Sequence, residues 1–493
     1  MNSFKNIFLR NKTTQQTIVK NTSWLFVAEI GSRLLRFLLV IFAARAIGTA
    51  GLGMFSYIMA LGGIFMFIED AGIGMYITRT LVQQPNLKKK LLATTTILKL
   101  ILLMVALSAF IMLGPTVSSL SEANTLIPVM AIVLLTDSLR EFMFTISRAQ
   151  ERMEVESIVK CLTALLVFTC GIVLIHLRPT ALSFTWGYAA GGIAGVILIY
   201  VYSRNHFENP FSFFSRELIA PIFKAAWPFT ILTISNIVIF STDIFFLGHF
   251  SDASTVGAYT AAQRLTQLTY IIPSLLTAAA FPALARKSTG GNGYTNALEK
   301  ISAALCIIAV PLTIGIALWP APLLHLFFGP TYTRAALAFI MLALGIFPIF
   351  ITAVYGTVIF AENKQSSFVV ANVTAIVTNI ILDLILIPKL HDVGAALAGT
   401  ISIYIIAIIT ALRFRSISKF SFFTYVRVGY IALASSAMIA ISVLCKHFSI
   451  SVIVALPLAA LIYGVIFWTS HKKEIAAIGI IPELRAQHPA TKQ

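Results

Sequence analysis

Charge is scarce in this chain of 493 residues. Asp, Glu, Lys and Arg together make up 11% of it, against roughly 25% in a soluble globular protein. Acid is scarcer still, 19 residues against 36 basic ones. No G-x-x-x-x-G-K-S/T run occurs, which removes a P-loop ATP site. The eight histidines form no HExxH pair, and Cys161, Cys170, Cys306 and Cys445 show no CxxC spacing. Neither a metal centre nor a disulfide framework is therefore expected. Gly48, Gly51 and Gly53 read as a turn between helices, not a dinucleotide loop. No enzyme motif remains and no cofactor is implied. What the chain has is apolar length, at 58% hydrophobic with a mean hydropathy of +0.89. This is the composition of an integral membrane protein.

A helix crossing the hydrocarbon core needs about 20 apolar residues. Runs of that kind fall near 20–45, 52–77, 92–114, 124–147, 157–177, 182–203, 226–249, 257–285, 298–322, 334–360, 367–388, 394–413, 426–445 and 452–470. The expected fold is an all-α polytopic membrane protein of about fourteen helices. The connections average about ten residues, which leaves no room for a soluble catalytic domain. The net charge of +17 would suggest nucleic acid in a soluble protein. Here, with the N-terminus inside, about 26 of the 36 Lys and Arg fall on the cytoplasmic side and about 5 outside. The excess reads as topology and contact with anionic lipid, not as nucleic-acid binding. Both termini are expected in the cytoplasm. Glu29, Arg33 and Arg36 interrupt the first apolar run, which reads as an uncleaved helix and not a leader.

An internal repeat organises the chain. Gly48-Thr49-Ala50-Gly51-Leu52-Gly53 after the first helix corresponds to Asp252-Ala253-Ser254-Thr255-Val256-Gly257 after the seventh, an offset of 204 residues. Both helix pairs have the same orientation, so the repeat is parallel and predicts two six-helix lobes with a cavity between them. The boundaries expected are an N-terminal lobe over 1–203, a cytoplasmic linker over 204–225 and a C-terminal lobe over 226–413. Two additional helices over 426–470 and a cytoplasmic tail over 471–493 complete the chain. Asn209 to Phe214 in the linker is expected to lie in the membrane interface as a short amphipathic helix.

At these residues the chain resembles the polysaccharide flippases of the multidrug/oligosaccharidyl-lipid/polysaccharide exporter superfamily. One matching block is Gly51 to Tyr57 continuing through Asp70-Ala71-Gly72-Ile73-Gly74 to Arg79. A second is Trp227-Pro228, Asp243, Val256-Gly257-Ala258-Tyr259 and Ala262-Gln263-Arg264-Leu265. Pro282 to Arg286, Phe328-Gly329-Pro330, Asn379, Leu386-Ile387-Pro388 and Gly394-Ala395-Ala396 follow in order. The likeness spans about residues 15–415, and the O-antigen type is the branch most resembled. The resemblance implies a V-shaped pair of lobes that alternate between inward- and outward-facing states. It also implies an undecaprenyl-diphosphate-linked oligosaccharide as cargo and a bacterial inner membrane as location. The further partners it implies are membrane lipids, H+ or Na+, and polysaccharide polymerase machinery.

Charge at membrane depth is costly and usually faces a partner or a wet cavity. Glu29, Arg33 and Arg36 share one face of the first helix, and Gln263, Arg264 and Gln267 form a polar stripe on the eighth. Arg36 and Arg264 lie at one depth, roughly 12–14 Å inside the outer boundary. Paired guanidinium donors that never lose their charge suit a diphosphate, so Arg33, Arg36 and Arg264 are the candidate substrate-binding residues. Lys99, Arg140, Gln263 and Gln267 are further cavity or gate candidates, with a plain ion-pair cluster the other reading of Lys99 and Arg140. The carboxylates Glu29, Glu69, Asp70 and Asp243 either couple an ion or pair with arginines; the pattern alone leaves both open. Asp137 and Glu141 read as an ion cluster with Arg140, and Asp383 with Asn372 and Asn379 as helix packing. Two other classes compete with a flippase. A drug/cation antiporter would want an acidic cavity, and a membrane glycosyl polymerase or ligase would want a large outer loop.

Overall fold

The computed structural model describes residues 14–70, 72–74, 76–77, 80, 87–149, 153–203, 213–277, 292–361, 366–415 and 428–478. The linker over 204–212, Arg79, Arg286 and the end of the tail lie outside the described residues, as does the side chain of Asp70. Every one of the fourteen expected crossings falls on helix, and no strand occurs among the described residues. Helix α1, Thr14–Asp70, carries the first two crossings and bends at Gly48. There φ is 70°, a left-handed value that favours glycine. Helices α2 (Lys88–Val117), α3 (Ile127–Ala149), α4 (Met153–Leu177) and α5 (Ala181–Ser203) supply crossings three to six.

Crossing seven is α6 (Ile219–Ile237), a widened π turn over Val238–Thr242, and α7 (Asp243–Phe250). Crossing eight begins with α8, Ala253–Thr269, capped by the Asp252 carboxylate on the Thr255 N–H at 3.2 Å. Helices α9 (Asn292–Leu318) and α10 (Pro320–Phe328) form the ninth crossing and its cap, and α11 (Ala336–Leu344) with α12 (Ile346–Ala361) the tenth. Helix α13, Ser366–Arg415, carries crossings eleven and twelve around a bend at His391. Helices α14 (Val428–His447) and α15 (Val452–Ile478) are the appended pair. They pack on the ninth crossing, where the Tyr463 hydroxyl donates to the Ile307 carbonyl at 3.1 Å.

Among the described residues, ten helices are long and apolar enough to cross a membrane by themselves. Two of these, over 26–69 and 369–413, are double crossings bent in the middle. The two crossings missing from that set are α3, which carries Asp137, Arg140 and Glu141, and the short polar α8. The least apolar helices are thus the ones that bring polar groups into the interior.

The lobes meet tightly at the end of the bundle that holds Gly48. A Cβ on Gly53 would run into the Ala253 carbonyl, and one on Gly257 into the Thr49 carbonyl. Only glycine at both positions lets the two backbones touch. Around this crossing Thr49 Oγ1 and Ser254 Oγ lie 2.7 Å apart. The Arg45 guanidinium donates to the carbonyls of Leu326 (2.5 Å) and Phe327 (2.9 Å) at the C-terminal end of α10, and the Tyr332 hydroxyl to the Ala44 carbonyl at 2.9 Å. The Gly48 end is sealed.

Candidate functional site: an arginine-lined cavity

Six of the residues singled out from the sequence line one cavity of about 250 Å³: Arg33, Arg36, Asp137, Arg140, Arg264 and Gln267. Its walls come from both parts of α1, α3, α4 and α5 of the first lobe, and from crossing eight of the second. Helical spacing explains the convergence, because Arg33, Arg36 and Val40 follow one another at three- and four-residue steps along α1. On the facing side Thr260, Arg264, Gln267 and Ile271 repeat the same steps.

The arginines differ in what holds them. Arg33 Nε donates to Glu29 at 2.5 Å, and Lys160 on α4 reaches the other Glu29 oxygen at 2.7 Å. Arg140 is tied to Asp137 one turn earlier. Arg264 donates only to the Gln267 side-chain oxygen, at 3.2 Å, and Arg36 has no acidic partner among the described residues. The Arg36 and Arg264 charges act on each other, and both act on the Tyr188 hydroxyl. Two like charges from two lobes thus share one cavity, and neither has an acidic partner among the described residues.

The other candidates are placed elsewhere. Lys99 is a correction: it does not line the cavity but forms a buried ion pair with Glu69 at 2.8 Å, and Ser138 donates to the same carboxylate oxygen at 2.5 Å. A lysine in helix three, facing the bundle, finds the nearest buried acid before it finds water. Gln263 is a second correction, since its amide donates to Asp243 at 3.1 Å inside the second lobe. Asp243 in turn pairs with no arginine. Its partners are the Tyr259 hydroxyl, the Gln263 amide and the Ile244 N–H. Glu141 joins Arg148, which also binds Glu156 at 2.9 Å.

Two functional neighbours escaped the sequence reading. Tyr188 gave no signal, being one aromatic among many. Lys160 was legible as a lone cation inside an apolar run. Asp383 and Asn379 meet crossing seven through a polar contact: the Thr242 hydroxyl lies 3.3 Å from the Asp383 carboxylate and 3.1 Å from the Asn379 side-chain oxygen. Asp383 Oδ1 and Asn379 Nδ2 are buried without partners among the described residues, and the Asp383 charge acts on Asp243 and Tyr259. The π turn immediately before Asp243 is what brings Thr242 to this group.

The model of the family described as "polysaccharide biosynthesis protein" matches residues 18–288, and the MatE model matches residues 228–385. Among curated proteins, a probable low-salt glycan biosynthesis flippase, Agl15 of Haloferax volcanii, is 22% identical over 428 residues. The alignment covers 85% of this chain and 88% of that one. The fold matches the lipid II flippase MurJ in its inward closed conformation with a TM-score of 0.75 at 15% identity, over 92% of this chain and 99% of that chain. An inward-facing multidrug MATE transporter matches with a TM-score of 0.57 at 16% identity, over 83% and 96% of the two chains. Two six-helix lobes in a V with two appended helices is therefore the architecture of the chain.

Proposed function

The chain belongs to the polysaccharide biosynthesis protein family, and from that premise we propose that it is an alternating-access flippase for a lipid-diphosphate-linked oligosaccharide. The observation that carries this reading is the pair Arg36 and Arg264, one from each lobe in one cavity, neither with an acidic partner among the described residues. A lipid diphosphate brings two negative charges into a space where water is scarce, and two guanidiniums offset them. Because the pair spans the lobes, the anion that bridges it also joins the halves that must move, so binding and lobe closure are linked. The named glycan flippase among the relatives supports the class of cargo. A drug/cation antiporter fits less well, because the cavity presents four arginines and one acid, Asp137.

The finer assignment is an undecaprenyl-diphosphate-linked O-antigen or other surface-polysaccharide unit, moved from the cytoplasmic to the outer leaflet of a bacterial inner membrane. With both termini cytoplasmic, the Gly48 end faces outward and the sealed state is the one that receives cargo from inside. Coupling belongs to Asp243 and Asp383. A carboxylate buried among neutral partners is costly to keep charged, and a proton or a monovalent cation removes that cost. The test is transport of undecaprenyl-diphosphate-linked sugars by the reconstituted protein, with and without imposed H+ and Na+ gradients. Transport that is lost in Arg36→Ala and Arg264→Ala proteins of normal membrane abundance supports the reading. Transport unchanged in both overturns it.

A further inference from the structure

The arginine pair brings one charge from each lobe, and the wall beside it carries a third polar group. Tyr188 on α5 lines the same cavity as Arg36 and Arg264. Helix α5 lies so close to α4 that a Cβ on Gly187 would strike the Gly171 Cα, and one on Gly191 the Val167 side chain. That contact fixes the rotation of α5 and with it the side on which Tyr188 stands. Two buried rings of the first lobe, Phe55 and Phe184, hold the Tyr188 ring, each with its centroid 5.2 Å away. The hydroxyl is not held. It makes no hydrogen bond among the described residues, and Tyr188 is partly exposed. By contrast, the hydroxyls of Thr163 and Thr260 in the same walls are buried away from the cavity. The charges of Arg36, Arg264 and Asp137 all act on the Tyr188 hydroxyl, and Asp137 is already engaged by Arg140. A fixed ring thus presents a free donor at a point that both arginine charges reach.

We propose that Tyr188 is a third substrate-binding residue, its hydroxyl donating to the lipid diphosphate beside the guanidiniums of Arg36 and Arg264. This rests on the flippase reading, since it needs the diphosphate in the cavity. A phenol hydroxyl is uncharged and donates one O–H. It therefore adds a bond to a charged acceptor without adding a third charge to a site where two guanidiniums already offset two negative charges. The advantage lies in the empty site. Once the cargo has left, an unpaired hydroxyl in a poorly hydrated cavity costs far less than another unpaired cation. The fixed ring adds to this, because a donor that is already in place loses little freedom when it binds.

The test is binding to the purified full chain in lipid nanodiscs, comparing undecaprenyl diphosphate with the uncharged undecaprenol. Tyr188→Phe keeps the ring and its contacts, so thermal stability should be unchanged. Binding of undecaprenyl diphosphate should weaken roughly 10- to 150-fold, the effect of one hydrogen bond to a charged group, while binding of undecaprenol stays as in the wild type. A second readout needs no lost bond. With 3-fluorotyrosine placed at position 188, the fluorine resonance should shift on adding undecaprenyl diphosphate and stay in place with undecaprenol. The proposal is overturned if Tyr188→Phe binds the diphosphate as the wild type does, if it weakens both lipids equally, or if the fluorine signal answers both lipids alike. Weakened binding in Arg36→Ala and Arg264→Ala beside intact binding in Tyr188→Phe would remove Tyr188 and keep the arginine site. If Arg36→Ala and Arg264→Ala also bind undecaprenyl diphosphate as the wild type does, it is the diphosphate reading that fails.

Discussion

The first lobe neutralises its buried charge with opposite charge, and the second neutralises it with hydroxyls and amides. Glu69 meets Lys99, Glu29 meets both Arg33 and Lys160, and Glu156 meets Arg148. In the second lobe, Asp243 meets Tyr259 and Gln263, and Asp383 meets Thr242. An ion pair is complete and needs nothing further. A carboxylate held by neutral donors retains its charge and can still take a proton or a cation. The difference separates charges that are paired from charges that are not, and Arg36 and Arg264 belong to the second kind with the sign reversed.

The sharpest way to break this comparison is to remove one partner of a completed pair. Lys99→Met should lower thermal stability by about 3–5 kcal/mol, because Glu69 is left buried and alone. Adding Glu69→Leu should restore most of it, and calorimetry or a detergent melting curve reads both. A Lys99→Met protein as stable as wild type would mean the pair is not structural.

The cavity arginines should behave in the opposite way. Arg36→Ala and Arg264→Ala should leave stability unchanged and weaken binding of a lipid diphosphate roughly 10- to 150-fold, about 1.5–3 kcal/mol. Lysine at either position should fall between alanine and wild type, because it keeps the charge and loses the planar fork.

The junction between the lobes can be loosened without touching charge. Gly53→Ala should force the crossing apart at about 1–3 kcal/mol and depopulate the sealed state. Faster labelling of a cysteine placed at Thr49 is the readout, and unchanged labelling would count against the crossing as the seal. A small effect on stability is also expected of Asp243→Asn, which removes a charge that has no ionic partner among the described residues. Its stability should change by less than about 1 kcal/mol, while the response of transport to H+ or Na+ gradients disappears.

Much of this was legible in advance because membrane burial makes polar residues conspicuous. Arg33, Arg36 and Arg264 stand out at helical spacing in apolar runs, and all three reach the cavity. The partners were not legible. Helical periodicity says which face of a helix a residue occupies but not which helix that face meets. Lys99 therefore reads as either a gate or an ion pair with its partner Glu69 unnamed, and Gln263 reads toward the cavity when it turns to Asp243. Asp383 reads as helix packing, but nothing in the local pattern names Thr242, about 140 positions away, as its contact.

The crossing of Gly53 and Gly257 carries one further consequence. Thr49 and Ala253 are related by the same 204-residue offset as the two glycines, and each glycine lies against the other half's carbonyl. The contact is isologous, the form found at the two-fold axis of a homodimer, but it is contained in a single polypeptide. In a homodimer one substitution appears on both sides of the axis at once. Here each side can change independently, as the hydroxyl bond from Thr49 to Ser254 beside the axis already illustrates. The geometry of a symmetric pair is retained while the two halves are free to diverge.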